Sequence, residues 1–450
     1  MNTGDPQRAR ARWRGPVIAG VVAAMIAVAV AVSASLPRSA TTADPSATVR
    51  PSSRPSETAR TPAADAGASA LGLTPERWWG GPSYYSPFAN AVASGWTSPE
   101  FFPIAVFVGR PSHAAELRAA GINTFMAAEH DGSAISMVTD EGISVIAQDE
   151  WTVDEIGEDP RVVGWFVSDE CESGAGVCGD AADEAGRLAQ QKSWVDGLRD
   201  LDDGRFLQAN FGNGVLGTYW APTTMADHVA LVDVTSVDKY AYTSPHVQRL
   251  LADSPFWPAG WDPSTSLAYG WLQDRMETYD ATKPNWVFVE TAMPYLNEDG
   301  PRTIDSDQIE GAVWNALIHG AAGIAYFQHN NNGECGNYSI IQCGADRTAR
   351  IRAINDGVMA MAPVLNSPSY SWSFGDGVQT ALKDVGGYAY ILAMPEGGSG
   401  TRSFSLPPAL AGASSVDVVG EDRSIKVTDG VFVDEFRAEF SHHIYRLPAP

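Results

Sequence analysis

The chain has 450 residues, 44% of them hydrophobic, and 54 acidic against 30 basic residues give it a formal net charge of −24. That is enough apolar material for one large domain and a smaller one. The acidity excludes nucleic acid as a partner and suits a neutral or cationic ligand better than a polyanion.

Arg8, Arg10, Arg12 and Arg14 precede an apolar run from Pro16 to Leu36. The run is near ~20 residues, so residues 1–36 read as an export signal or as an anchor tethering the chain by a single span, with the N-terminus inside. Residues 37–70 are mostly Pro, Ser, Thr, Ala and Arg, without an aromatic residue. Such a segment cannot bury a core and is expected to be a disordered stalk. A chain begun near Leu71 should therefore unfold cooperatively, and loss of folding on removing Pro37–Ala70 would contradict this.

Order is expected from Leu71, where Trp78, Trp79, Tyr84, Tyr85, Phe88 and Trp96 come densely. They either plug the floor of a barrel or stack on a ligand. An alternation then begins. Strands are expected at Ile104–Gly109, Ile122–Glu129, Ile143–Gln148, Val162–Glu170, Phe206–Asn210, Val234–Tyr242, Trp286–Glu290 and Gly323–Gln328. Helical stretches follow each of them: Ser112–Ala120, Ala134–Asp140, Val153–Ile156, Ala181–Asp202, Met225–Leu231, Ser264–Tyr279, Asp307–His319 and Thr348–Leu365. Eight such units in about 260 residues have the size and order of a (β/α)8 TIM barrel, here spanning residues 71–366. The first strand lacks the Gly-rich phosphate fingerprint that a doubly wound nucleotide-binding sheet would carry. Residues 367–450 change to short alternating runs between Gly, Pro and Asp turns, which read as a small antiparallel β-sandwich.

Polar residues collect at the strand ends: Glu129, His130 and Asp131 after the second, Asp149 and Glu150 after the third, Asp169 and Glu170 after the fourth. Gln208 and Asn210 come on the fifth, Asp238, Lys239 and Tyr242 after the sixth, Glu290 ends the seventh, and Gln328 and His329 end the eighth. In a parallel barrel these ends converge on one rim. Two carboxylates facing each other across a cleft are what glycosidic-bond cleavage requires, one protonating the leaving oxygen and the other attacking or activating water. Asp238 with Lys239 reads as a structural ion pair, and Glu129 and Asp149 as supporting acids.

The segments GWFVSDEC, NWVFVETAMPY, VDKYAYTSP and IHGAAGIAYFQHN resemble the fourth, seventh, sixth and eighth strands of the retaining (β/α)8-barrel glycoside hydrolases of the clan that contains cellulases and β-galactosidases. The resemblance implies Glu170 as acid/base and Glu290 as nucleophile of a retaining mechanism on a carbohydrate substrate, with no cofactor and no metal. It implies substrate-binding roles for Asp169, Glu129, Asn210, Tyr242, Gln328 and His329, with Tyr242 contacting the nucleophile. Asp169 stands where that clan has Asn, so it can accept but not donate a bond to a sugar hydroxyl.

The four Cys fall in two close pairs, Cys171 with Cys178 and Cys335 with Cys343, and in an exported chain two local disulfides are the expectation. Two alternatives stand beside the hydrolase: a carbohydrate-binding surface protein on an inactive barrel, and a metal-dependent hydrolase using His130, Asp131 and other rim acids. No ligand set has recognisable zinc spacing.

Overall fold

The computed structural model describes residues 70–173, 178, 180–217, 222–295, 298–333 and 335–450. The expected export segment and the stalk lie outside the described residues, Ala70 excepted. Among the described residues no helix is long and apolar enough to cross a membrane.

Eight parallel strands close into a barrel in chain order: β1 (Ile104–Phe107), β2 (Thr124–Met126), β3 (Ser144–Ala147), β4 (Val162–Asp169), β5 (Phe206–Phe211), β6 (Val234–Val237), β7 (Asn285–Glu290) and β8 (Gly323–Phe327). β8 pairs back onto β1, so no edge is left open. The strands are buried on both faces, which is why they read as near-continuous apolar runs. Phe107, Met126, Ile146, Val163, Phe206, Trp286 and Phe288 share the inner core, while Val106, Val145, Leu207, Val287 and Ile324 pack outward under the helices. Trp79, Tyr85, Phe88 and Trp96 join the inner core against Phe206 and Trp286, near the N-terminal ends of β5 and β7. The aromatic cluster is thus the floor of the barrel.

Sequence and structure differ at some boundaries. The sixth strand stops at Val237 rather than Tyr242, because Asp238–Tyr242 turn over the rim. A helix at Pro245–Ala252 follows that turn, with Ser244 Oγ accepting from Val247 N as its cap.

After residue 366 come β9 (Val378–Val385), β10 (Tyr388–Pro395), β11 (Gly400–Ser405), β12 (Ser415–Val418), β13 (Arg423–Lys426), β14 (Val431–Phe436) and β15 (His443–Pro448). Five form an antiparallel sheet in the order β13-β12-β15-β10-β9, and β11 with β14 makes a separate ribbon. Phe404 and Phe432 of the ribbon stack at 4.7 Å, and each meets Tyr445 of the sheet, which gives the two layers one core.

Both local disulfides are formed, Cys171–Cys178 with Cα atoms 4.8 Å apart and Cys335–Cys343 at 5.1 Å. Peptide mapping without reductant is expected to return these two pairs, and a crossed pair such as Cys171 with Cys335 would refute the connectivity.

Candidate active site

The first residue beyond each of β1, β2 and β4 is a non-glycine in the left-handed region: Val108 (φ 48°), Ala127 (φ 52°) and Glu170 (φ 47°). Each costs roughly 1–2 kcal/mol relative to an ordinary backbone. Such strain persists only where surrounding structure enforces it, and at Glu170 that structure is visible. Its amide donates to Asn210 O at 3.0 Å, continuing the pairing of β4 with β5 one residue past the strand. Its carboxylate lies against Gly212, where an added Cβ would collide with Glu170 Oε1.

Lys239 Nζ lies 2.7 Å from Glu170 Oε1 and 3.9 Å from Asp238 Oδ1. The ammonium is buried, but the carboxylates of Asp238 and Glu170 outweigh that burial and raise its pKa. Glu170 keeps 15% of its side-chain surface exposed, and its Oε2 makes no hydrogen bond or ion pair among the described residues. The ion pair foreseen for Lys239 therefore exists, but its short contact is with Glu170, 69 positions away.

Beneath this pair lies an amide that joins two acids. Asn210 Nδ2 donates to Asp169 Oδ1 at 2.9 Å and to Asp238 Oδ1 at 3.0 Å, and Asn210 Oδ1 accepts from Ser236 Oγ at 2.9 Å. The donor pattern fixes which way the amide faces. Burial, reinforced by the charge of Glu170, pushes Asp169 up to about 7, against the pull of the Asn210 bond. Burial also pushes Asp238 up to about 8, with Lys239 pulling down and Glu170 and Asp169 pushing up. Glu172, one turn past β4, is likewise pushed up to about 7 by burial and the charge of Glu170, while its Oε1 accepts from Gly212 N and Gly214 N.

An Asp whose folded pKa exceeds its unfolded value of about 4 binds more protons in the native state, so its contribution to stability falls as pH rises. For Asp238 the fall begins near the unfolded value and is complete above about 8. Asp238→Asn removes this titration. The variant should lose less melting temperature than the wild type between pH 4 and pH 8, and an unchanged slope would mean that Asp238 titrates normally.

Glu290 lies elsewhere in this network. The register places it beside Phe327 and in phase with inward-facing Trp286 and Phe288. Its carboxylate is nevertheless completely buried, at 0% exposure. Oε1 accepts from Tyr242 N (3.1 Å), Thr243 N (3.2 Å) and Thr243 Oγ1 (3.3 Å), and Oε2 accepts from Tyr269 OH (2.6 Å). Burial pushes it up to about 7, and these donors pull the other way. Among the described residues no hydrogen bond or ion pair joins it to Glu170, Asp169, Asp238 or Lys239. Tyr242 does contact Glu290, but through its backbone N–H, while its hydroxyl donates to Glu439.

Glu129 and His329 belong to a second group on the β1, β2 and β8 side. Glu129 accepts from Tyr338 OH at 2.7 Å and pairs with Arg110 at 3.3 Å, and His329 Nε2 lies 3.2 Å from Val108 O. Gln328 is fully buried, with neither amide atom partnered among the described residues. His130 pairs with Glu155 at 2.8 Å and Asp131 faces Arg110 at 3.7 Å, so these two do not converge. Among the described residues no group of three His, Cys, Asp or Glu side chains is arranged to hold a metal ion.

The fold and rim together define a TIM barrel with a carboxylate-rich, partly open C-terminal face. No family model and no curated protein matches the chain. Among solved structures it is similar to an α-amylase from Anoxybacillus, at 7% identity over 78% of this chain and 99% of that one, with a TM-score of 0.49. It is also similar to a β-galactosidase from the psychrophilic Marinomonas ef1, at 14% identity over 58% of this chain, with a TM-score of 0.41, and it spans 60% of that enzyme's length. A GH30 endoxylanase from Clostridium papyrosolvens matches at 11% identity over 84% and 98% of the two chains, with a TM-score of 0.35. The barrel assignment stands on the strand pairing itself.

Proposed function

We propose that the chain is an exported glycoside hydrolase that cleaves O-glycosidic bonds of a polysaccharide or oligosaccharide, with Glu170 as its substrate-facing carboxylate. One observation carries the reading. Glu170 sits at the C-terminal end of β4 on a strained backbone, one oxygen held by Lys239 and the other unbonded among the described residues, beside buried acids whose pKa values burial raises. Glycoside hydrolysis needs a carboxylic acid that is protonated and a carboxylate that is not, within reach of one bond.

In this reading the Glu170 carboxylate attacks the anomeric carbon or activates a water there, and the Asp169–Asp238 pair under it supplies the proton for the leaving oxygen. The role of acid thus moves from Glu170, where the resemblance puts it, to its neighbours. Glu290 serves the fold, because a nucleophile must reach the anomeric carbon and this carboxylate is sealed by four donors. Export rests on the basic and apolar N-terminal pattern and on the two disulfides.

A screen of the purified protein on plant and bacterial wall glycans tests the proposal. Hydrolysis of at least one glycan is expected. Binding without hydrolysis by the wild type would point instead to a carbohydrate-binding protein on an inactive barrel.

A further inference from the structure

We propose that Glu439, in the connection from β14 of the ribbon to β15 of the C-terminal sheet, is a positioning residue of the barrel rim. Its carboxylate ties down both arms that hold Glu290. Oε1 accepts from Tyr242 OH at 2.7 Å, and Oε2 accepts from Ser266 N at 3.0 Å and from Ser266 Oγ at 2.8 Å. Tyr242 and its neighbour Thr243 give backbone N–H groups to Glu290 Oε1. Ser266 opens the helix Leu267–Asp280, which carries Tyr269, the donor to Glu290 Oε2. The rings of Tyr242 and Tyr269 also stack at 5.7 Å. One carboxylate from the sheet therefore sets the spacing of two segments that are 24 residues apart at Tyr242 and Ser266.

The connection that carries Glu439 is itself anchored. Phe440 lies so close to Gly311 that a Cβ there would collide with it, and the ring of His442 stacks on Trp314 at 4.6 Å. Gly311 and Trp314 are three apart on the helix Ser306–Ile318 and so share one face. The turn thus held follows Lys239 by three residues, so Glu439 acts on the Glu170–Lys239 pair through the Asp238–Thr243 backbone. The sheet is in this sense part of the site. This last step rests on the proposed hydrolase, whereas the clamp on Glu290 does not.

The test uses full-length variants and two readouts. Amide hydrogen exchange at Tyr242 and Thr243 should quicken at least tenfold in Glu439→Ala, with β10 and β15 amides unchanged. Tyr242→Phe, which removes only the hydroxyl arm, should show the same change to a smaller extent and serves if Glu439→Ala does not fold. Wild-type exchange at both amides in a folded Glu439→Ala, or in Tyr242→Phe, would overturn the clamp. On any glycan the wild type hydrolyses, Glu439→Gln should lower kcat about tenfold with KM within twofold, and an unchanged kcat would overturn the link to the site. If the exchange quickens but no glycan is cleaved by the wild type, the hydrolase reading fails and the clamp stands.

Discussion

Glu170→Gln is expected to reduce hydrolysis of a confirmed glycan by about 10²–10⁴-fold, the usual weight of a positioned proton-handling or attacking group. The amide keeps the volume beside Gly212 and can still accept from Lys239, so loss of packing would not explain the loss of rate. The substitution carries a second signature. The charge of Glu170 raises both Asp169 and Asp238, so removing it lets both acids titrate lower. The alkaline limb of whatever activity remains, where the acid pair loses its proton, should therefore shift toward lower pH. Near-normal turnover in Glu170→Gln would refute the assignment of the working carboxylate. Loss of rate with an unshifted limb would keep Glu170 but separate it from the Asp169–Asp238 pair.

Glu290→Ala should be a folding mutation. It leaves two backbone N–H groups and the hydroxyls of Thr243 and Tyr269 facing a void where the carboxylate was. Orphaned buried donors cost about 1–3 kcal/mol each before relaxation. A destabilisation of that size should appear as a large drop in the denaturant midpoint at pH 7. Glu290→Gln should cost less, because its amide oxygen can still accept from Tyr242, Thr243 and the Thr243 hydroxyl. If instead Glu290→Ala keeps the wild-type midpoint while turnover vanishes, the carboxylate is free of the fold and the nucleophile role implied by the resemblance returns. Catalytic residues commonly show that second pattern, since sites trade stability for activity.

The barrel was legible because its evidence is local. Each strand is a short β-branched or aromatic run, and each is buried on both faces, so length and spacing sufficed to place all eight. The errors lie where chain direction depends on distant partners. Asp238–Tyr242 continue an apolar-looking run, yet Lys239 is drawn over the rim by Glu170, 69 residues upstream. The helix Pro245–Ala252 has a readable start in the sequence, a Ser followed by Pro. The acids of the rim were visible, but their states were not. Asp169 reads as a substrate acceptor, and the sequence does not show that its Oδ1 accepts from Asn210. Glu290 looked open and is sealed by residues from a turn, a helix and, one step removed, the C-terminal sheet. No spacing rule encodes such enclosure, because it depends on contacts between segments far apart in the chain.

Gly212 makes the Glu170 geometry heritable in a particular way. A side chain at 212 would displace the Glu170 carboxylate from its place beside Lys239, which couples the two positions. In an alignment of related barrels they should covary: glutamate at 170 with glycine at 212, and a lineage that gains a side chain at 212 should have lost or shortened the residue at 170. On the proposed hydrolase reading, a side chain at 212 would mark a descendant in which the carboxylate at 170 no longer stands beside Lys239.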